Sequence, residues 1–278
     1  MKHRALHRAG AGRLLWAGVL AGAVLGGLGG CVALAGGAVA CLGVLRLWRR
    51  APLMLALALA GCATKPTKKI AVLTSIRNEG IGFIEWLAFH RTIGIEDFYV
   101  YANDNDDGST ELLNILHRQG LIHFIENQTQ PNVSPQKKAF RHAVEFLGEL
   151  RQYEWLFVLD ADEYFVPLNT STASIDEIIN LANEDSNGKP AAISFHWKWF
   201  GSNNAYEREK GTLLERFPHS HESDHVKTLA RMQDTVSFYD IHMPILLNGR
   251  LRVNAAFEEL KEHRATATPN YKFGQINH

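Results

Sequence analysis

The 278-residue chain carries 29 basic and 29 acidic residues, but they are unevenly distributed. Residues 1–63 hold seven basic residues (Lys2, Arg4, Arg8, Arg13, Arg46, Arg49, Arg50) and no acid, leaving 22 basic against 29 acidic and a net charge of −7 for residues 64–278. A body of that size can bury a sizeable core and lacks the basic face that wrapping nucleic acid requires; with Cys31, Cys41 and Cys62 all in the first segment, it also excludes disulfide frameworks, cysteine–zinc sites and thiol nucleophiles.

Leu14–Leu45 is a run of 32 uncharged residues rich in Gly, Ala, Val and Leu. It exceeds the roughly 20 residues needed to cross a bilayer, so a single tilted span is predicted, softened by nine glycines. Basic residues flank it on both sides, and Lys65, Lys68 and Lys69 tip the balance towards a cytoplasmic C-terminal side. A second signal overlaps it: Arg49-Arg50, the apolar run Ala51–Ala60 and then Gly61-Cys62 resemble a lipoprotein signal, with Cys62 as an alternative anchor. The change in composition near Lys65 also fits a misplaced translation start. On any of these readings, residues 1–63 stand apart from a globular domain over 64–278.

Ile70–Ile76 is an apolar run of strand length, and Gly82–Ile93 then spaces Phe83, Trp86, Leu87 and His90 as one helical face. Phe98–Tyr101 is a second strand, Ser109–Gln119 a helix ending at Gly120, and Leu121–Ile125 a third strand. After Pro135 a helix is predicted to about Arg151, with Ala139, Ala143, Phe146 and Leu150 on one face, before a fourth strand over Trp155–Leu159. Strands alternating with helices predict an α/β fold with a mostly parallel sheet and right-handed crossovers. Ligands of such sheets sit beyond the carboxyl ends of the strands, which directs attention to the loops after Ile76, Tyr101 and Leu159.

All three loops are polar: Arg77-Asn78-Glu79-Gly80, Asn103-Asp104-Asn105-Asp106-Asp107-Gly108-Ser109 and Asp160-Ala161-Asp162. In the first two, turns and helix caps account for such residues as well as a ligand does, and Asp107 or Ser109 could cap the next helix. In the third, carboxylates at i and i+2 of an extended chain point to one side, where they repel unless a cation joins them. Hard oxygen donors suit Mg²⁺ or Mn²⁺ shared with a substrate phosphate; the plain alternative is a solvated strand end.

Taken together, these segments resemble a known family. Arg77-Asn78-Glu79-Gly80, Glu85 to Arg91 with Gly94, Tyr101 to Ser109, Gln136 with Ala139 and His142, and Trp155 with Leu159 to Phe165 follow one another as in the glycosyltransferase family 2-like group related to family 92. Trp197 to Ser202, Glu215-Arg216-Phe217, Val226-Lys227-Thr228 and Ile276-Asn277-His278 continue the series, so the resemblance covers nearly all of residues 68–278. It departs where Arg77 replaces the family's usual Lys, where Ala102 replaces an acid or Ser, and where the chain stops at His278. A C-terminally truncated product is expected from the last departure.

The resemblance implies a GT-A-type fold and an inverting transfer of sugar from a nucleotide-sugar donor, UDP- or GDP-linked, to a glycan or lipid-linked acceptor. Asp160 and Asp162 look like the pair that holds a divalent cation, Mn²⁺ or Mg²⁺, against the donor diphosphate, with His242 as a third ligand. Thr74, Asn78, Glu79 and Asp104 fall where the fold binds the nucleoside, and Gln136 and His142 on the following helix face the same pocket, although His142 suits a core hydrogen bond equally. A base is required for the acceptor hydroxyl. Glu215 and Glu163 are the candidates, with a salt bridge to Arg216 as the structural alternative for Glu215. Trp197, Trp199 and Phe200 read as core, with a tryptophan available to stack on a sugar. The cytoplasmic membrane face, where sugar nucleotides are found, is the expected location. Two other functions are open: a carbohydrate-binding or degenerate transferase lipoprotein, and a sugar nucleotidyltransferase, for which Arg77–Gly80 is a poor phosphate loop.

Overall fold

The computed structural model describes residues 68–185, 189–202, 207, 210–261 and 268–278. The predicted span Leu14–Leu45 and Cys62 lie outside them; among the described residues no helix is long and apolar enough to cross a membrane.

Strand β1 (Lys68–Ile76) leads into helix α1 (Gly80–Thr92), β2 (Asp97–Ala102), α2 (Ser109–Arg118), β3 (His123–Glu126), α3 (Pro135–Phe146) and β4 (Tyr153–Val158). This first half follows the predicted order within a residue or two at most boundaries. The exception is α3, which stops at Phe146 rather than running to Arg151: Gly148 follows, and a 3₁₀ turn over Gly148–Gln152 carries Leu150 into the core by a different route. Beyond it come β5 (Tyr164–Pro167), α4 (Ile175–Asp185), β6 (Ala192–Gly201), the one-turn helix α5 (Leu213–Arg216), β7 (His219–Arg231), β8 (Thr235–Phe238), β9 (Pro244–Leu246), β10 (Arg252–Val253) and β11 (Gly274–Asn277).

The main sheet runs β3-β2-β1-β4-β7-β6-β11-β5, with β10 also on β6, while β8 and β9 form a separate two-stranded sheet. The expectation of a mixed, mostly parallel α/β sheet is met. Strands β3, β2, β1 and β4 are mutually parallel, β10 and β11 run parallel to β6, and antiparallel pairings join β7 to β4 and β6 and β11 to β5. Because side chains alternate along a strand, β1 sends Ile70, Val72 and Ile76 to one face and Ala71 and Leu73 to the other. The first face packs against Phe83, Trp86 and Leu87 of α1, Leu113 of α2 and Ile175, Ile178 and Ile179 of α4. The second packs with Tyr99 and Tyr101 of β2 against Ala139, Phe140 and Ala143 of α3. Near the far edge, a Cβ on Gly274 would stand 2.8 Å from the Phe165 ring, so glycine lets β11 close against the aromatic pair Phe165 and Phe195.

His90 completes the predicted apolar face of α1 and is fully buried. Its Nδ1–H donates to the Trp86 carbonyl (2.9 Å) and its Nε2 accepts from the Phe165 amide (3.3 Å), so the neutral ring has both nitrogens used. Burial lowers its pKa from 6.5 to about 4. The unfolded chain therefore takes up this proton at higher pH than the folded one, and the contribution of His90 is whole above about pH 6.5 and lost as pH falls towards 4, some 3 kcal/mol in total. Urea denaturation at steps between pH 7 and 4 should show a shallower loss in His90→Gln than in the parent; equal slopes would contradict the assignment.

Candidate active site

The carboxyl ends of β1, β2, β3 and β4 gather the polar loops at one end of the sheet. The Asn103 amide donates to the Ile76 carbonyl and the Asn127 amide to the Ala102 carbonyl, both at 2.9 Å, so each loop leaves its strand tied to its neighbour. Asn78, in the left-handed region at φ 60°, receives the Asp106 amide on its Oδ1 (3.0 Å) and donates Nδ2–H to Asp106 (2.6 Å), while its own amide donates to Asn105 (2.8 Å). The Gly80 amide donates to Ser109 Oγ at 2.8 Å; a Cβ on Gly80 would stand 2.7 Å from that oxygen. Ser109 thus serves the start of α1. Asp107 accepts from the Ser109 amide, and Gly108 takes the N-cap position of α2 with no side-chain cap bond.

The third loop is a turn, not an extended chain: the Glu163 amide donates to the Asp160 carbonyl at 3.1 Å. Asp160 and Asp162 therefore have different surroundings. Asp160 Oδ1 accepts from Gln136 Nε2 (2.5 Å) and Oδ2 from Lys227 Nζ (2.9 Å), so both oxygens are taken by the protein. Asp162 is 60% exposed and meets His278 Nε2 at 3.3 Å. Burial raises the Asp162 pKa, but the His278 hydrogen bond and charge outweigh it and the net direction is down. His278 shows the mirror case, with burial pulling it down and Asp162 carrying it up.

Beneath the turn lies a charge network without solvent. Glu163 and Lys227 are both 0% exposed, with Nζ 3.2 Å from Glu163 Oε2, and the same oxygen receives the Asp160 amide at 2.7 Å. Burial pushes Glu163 up to about 7, pulled back by the Lys227 ammonium and raised further by Asp160. For Lys227, burial acts downward but the two carboxylates prevail and hold it above its ordinary value. Strand β7 places this ammonium: Leu229 pairs antiparallel with Phe157, so Lys227, two residues earlier in β7, reaches the end of β4 where the turn begins.

An aromatic cluster stands beside the network. Trp197 is ringed by His225 (5.2 Å), His242 (5.4 Å), His278 (4.5 Å) and Trp199 (5.2 Å, edge-on). His242 Nδ1–H donates to the Val226 carbonyl at 2.9 Å, leaving Nε2 with its lone pair, the tautomer a metal ligand needs. Burial and then Lys227 lower its pKa, opposed by the Val226 hydrogen bond and the charges of Asp240 and Asp160.

The structure thus brings Asn78, Glu79, Gln136, Asp160, Asp162 and His242 to one end of the sheet. Glu79, at the N-cap position of α1, has its carboxyl pKa raised by burial and by the charges of Asp162 and Asp107. Other predicted residues fall elsewhere. Thr74 is wholly buried inside β1, and its hydroxyl meets no partner among the described residues. Asp104 is exposed and clamped by the Thr129 hydroxyl and amide. His142 is six residues along α3 from Gln136, about 9 Å on the axis; it bonds Tyr101 and stacks on Phe146, its alternative role. Glu163 has no surface to offer an acceptor hydroxyl. Glu215 closes the capping box of α5, with Oε2 accepting from the Thr212 amide (2.9 Å) and hydroxyl (3.0 Å), and these bonds lower its pKa; its predicted ion pair with Arg216 gives way to the cap.

Sequence reasoning gave no role to Lys227 or His278, although both lie inside segments quoted above. A lone lysine flanked by Val226, Leu229 and Ala230 in a strand is the signal that finds the first. His278 has no such local signal, because its meaning comes from the strand pairing that carries it to Asp162.

The glycosyltransferase family 92 model matches residues 80–276. A family 92 protein of Ricinus communis is 27% identical over 128 residues, 46% of this chain and 22% of that one. Relatives from Oryza sativa subsp. japonica (28% over 95 residues, 34% and 16%) and Arabidopsis thaliana (26% over 104 residues, 37% and 17%) carry the same family name. The chain accordingly spans about a fifth of the length of these relatives. Among solved structures, S. aureus TarS 1–349 in complex with UDP overlaps 59% of this chain and 47% of that one, with 13% identity and a TM-score of 0.36.

Proposed function

Because the chain belongs to glycosyltransferase family 92, we propose that it transfers a sugar from a UDP- or GDP-linked donor to a hydroxyl of a glycan or lipid-linked acceptor, with a divalent cation at the Asp160–Asp162 turn. The observation that carries this reading is the turn itself: two carboxylates beyond the parallel strands, one locked from beneath and one left open.

The donor set bears on the cation. Among the described residues no three His, Cys, Asp or Glu side chains converge as a ready-made metal cluster. Asp162 and His278 supply an exposed carboxylate and an imidazole in contact, and Mg²⁺ or Mn²⁺ held by one or two carboxylates is normally completed by substrate phosphates and water. We assign the ion to Asp162 and His278, with His242 in the tautomer of a further ligand. Asp160, carrying the Lys227 ammonium, becomes the anchor of the turn. When bound, the ion supplies neutralisation of the charge that develops on the leaving nucleoside diphosphate.

The chain's own residues do the rest. Lys227 and Gln136 fix Asp160, the Glu163 carboxylate accepts the Asp160 amide, and the turn is thereby held in one shape before substrate arrives. Asn78 and Glu79 border the same end of the sheet and form its nucleoside side. We place the protein at the cytoplasmic membrane face, on the strength of the apolar run Leu14–Leu45.

Calorimetric titration with UDP and with GDP, each with and without Mn²⁺, tests the reading. Binding of one nucleotide that requires Mn²⁺ is expected, and binding that ignores the metal would discard the cation assignment.

A further inference from the structure

Helix α3 sends its polar side chains to two different places. Gln136 turns to Asp160, whereas Lys137, about 100° further round the helix, lines a separate cavity of about 410 Å³. Lys138 and Arg141 line it from the same helix, and residues 237–241, from β8 and the loop after it, form the facing wall. No residue of the Asp160–Asp162 turn belongs to this lining.

The charge on the cavity is one-sided, although residues 64–278 are acidic as a whole. Lys138 donates Nζ to the Gln128 carbonyl at 2.7 Å, which holds the ammonium in place without neutralising it. No ion pair joins the side chains of Lys137, Arg141 or Glu145 to another residue among those described. Asp240 also lines the cavity but is 7% exposed and turned into its own loop, where its Oδ1 accepts the amides of His242 (2.9 Å) and Met243 (3.1 Å). Three cations thus face one open carboxylate, Glu145.

The rim is apolar to an unusual degree. Of the ten exposed large apolar side chains among the described residues, five stand here. Val133 and Tyr239 belong to the lining, and Val236, Ile245 and Leu247 lie on or directly after the strands of the β8–β9 sheet. Ile245 pairs with Ser237, so it sits one strand out from the wall. Apolar side chains gathered on a surface mark a contact with a partner or a membrane. Aliphatic groups beside a tyrosine and unpaired cations match the surface of an anionic bilayer: acyl chains meet the first, the headgroup layer the second and lipid phosphates the third. The chain also brings a bilayer within reach, because Leu14–Leu45, outside the described residues, is long enough to cross one.

We propose that the β8–β9 sheet and the basic flank of α3 form a docking face for an anionic phospholipid bilayer. One lipid headgroup occupies the cavity with its phosphate on Lys137 and Arg141, while Val236, Tyr239 and Ile245 enter the lipid around it. The inference rests on the membrane placement above and is independent of the transferase reading.

The test follows amide exchange across residues 235–247 of the full chain in three settings: nanodiscs of phosphatidylcholine, nanodiscs of phosphatidylcholine with phosphatidylglycerol, and detergent. Exchange is expected to be slowest in the phosphatidylglycerol discs, and about 0.5 M salt should speed it again by screening the lipid charge. Each cation removed, in Lys137→Ala and in Arg141→Ala, should cut the slowing about 5-fold, the worth of one basic side chain at an anionic surface. Val236→Ser with Ile245→Ser should cut it as well, with UDP binding unchanged in every variant. Slowing already present in detergent, together with a doubled mass by light scattering, would show that a second copy covers the face and would overturn the proposal. Equal exchange in all three settings would overturn it too, as would slowing in both kinds of disc that ignores Lys137 and Arg141. A chain that never enters the discs removes the membrane placement and this face together, whereas UDP binding with Mn²⁺ decides the transferase reading separately.

Discussion

Replacing Lys227 with methionine is expected to cost the fold about 3–5 kcal/mol, the scale for removing one partner of a buried ion pair. The methylene stem of lysine fits the β7 environment and methionine nearly matches it, so lost packing is a minor part of the effect. What changes is charge: Glu163 and Asp160 are left facing each other, with Glu163 fully enclosed and its Oε1 already without a partner among the described residues. Glu163 would then take up a proton to avoid an isolated charge in the interior. Pairing Lys227→Met with Glu163→Gln removes the enclosed charge as well, and the double variant should recover most of the lost stability. Denaturant unfolding of the parent, both single variants and the double measures the coupling directly. A Lys227→Met protein as stable as its parent, or a double variant whose losses simply add, would show that the network does not carry the energy its geometry implies. Transfer activity is expected to fall with Lys227→Met even at temperatures where the variant is folded, because Asp160 loses one of its two anchors.

Asp162→Ala should behave in the opposite way. The side chain is more than half exposed and its partner His278 is near the surface, so stability is expected to change by less than about 1 kcal/mol. Transfer, in contrast, should drop by roughly 10²–10³-fold, the cost of losing one well-placed charge-stabilising group. Release of nucleoside diphosphate from the donor, measured with and without Mn²⁺, gives the answer, and Asp162→Asn separates charge from shape. Wild-type transfer by Asp162→Ala would remove this carboxylate from the reaction. The contrast between the two variants, one costly to the fold and one costly to the chemistry, distinguishes the anchor of the turn from its working face.

The first half of the fold was legible because each of its elements announces itself locally. Ile70–Ile76 is an apolar run bounded by polar loops, and the face Phe83, Trp86, Leu87 and His90 repeats with the helical period, so sequence alone places β1 and α1 nearly correctly. The end of α3 was missed because the apolar spacing continues to Leu150 although Gly148 has already broken the helix. Reading the two aspartates as neighbours on an extended strand gave them the same surroundings, whereas the turn pairs Asp160 with Lys227 and leaves Asp162 more than half exposed. Glu215 shows a related limit: Thr212 three residues before a glutamate is a capping signature, and the carboxylate is engaged in that cap. Lys227 lies in β7 and His278 directly follows β11, strands that reach the site through pairings with β4 and β5, and no window of sequence around either residue contains that information.

The place of β11 in the sheet has a consequence for how the candidate site is put together. β5, which follows the aspartate turn, pairs with β11 among the described strands, and β11 also lies along β6. During synthesis the carboxylates, the lysine and the tryptophan therefore all emerge before the segment that fastens β5 to the rest of the sheet. Gly274–Asn277 lies between β6 and β5, and His278, which follows it directly, meets Asp162. The short strand β11 thus acts as the seam through which β5 and the turn before it join the same sheet as β6.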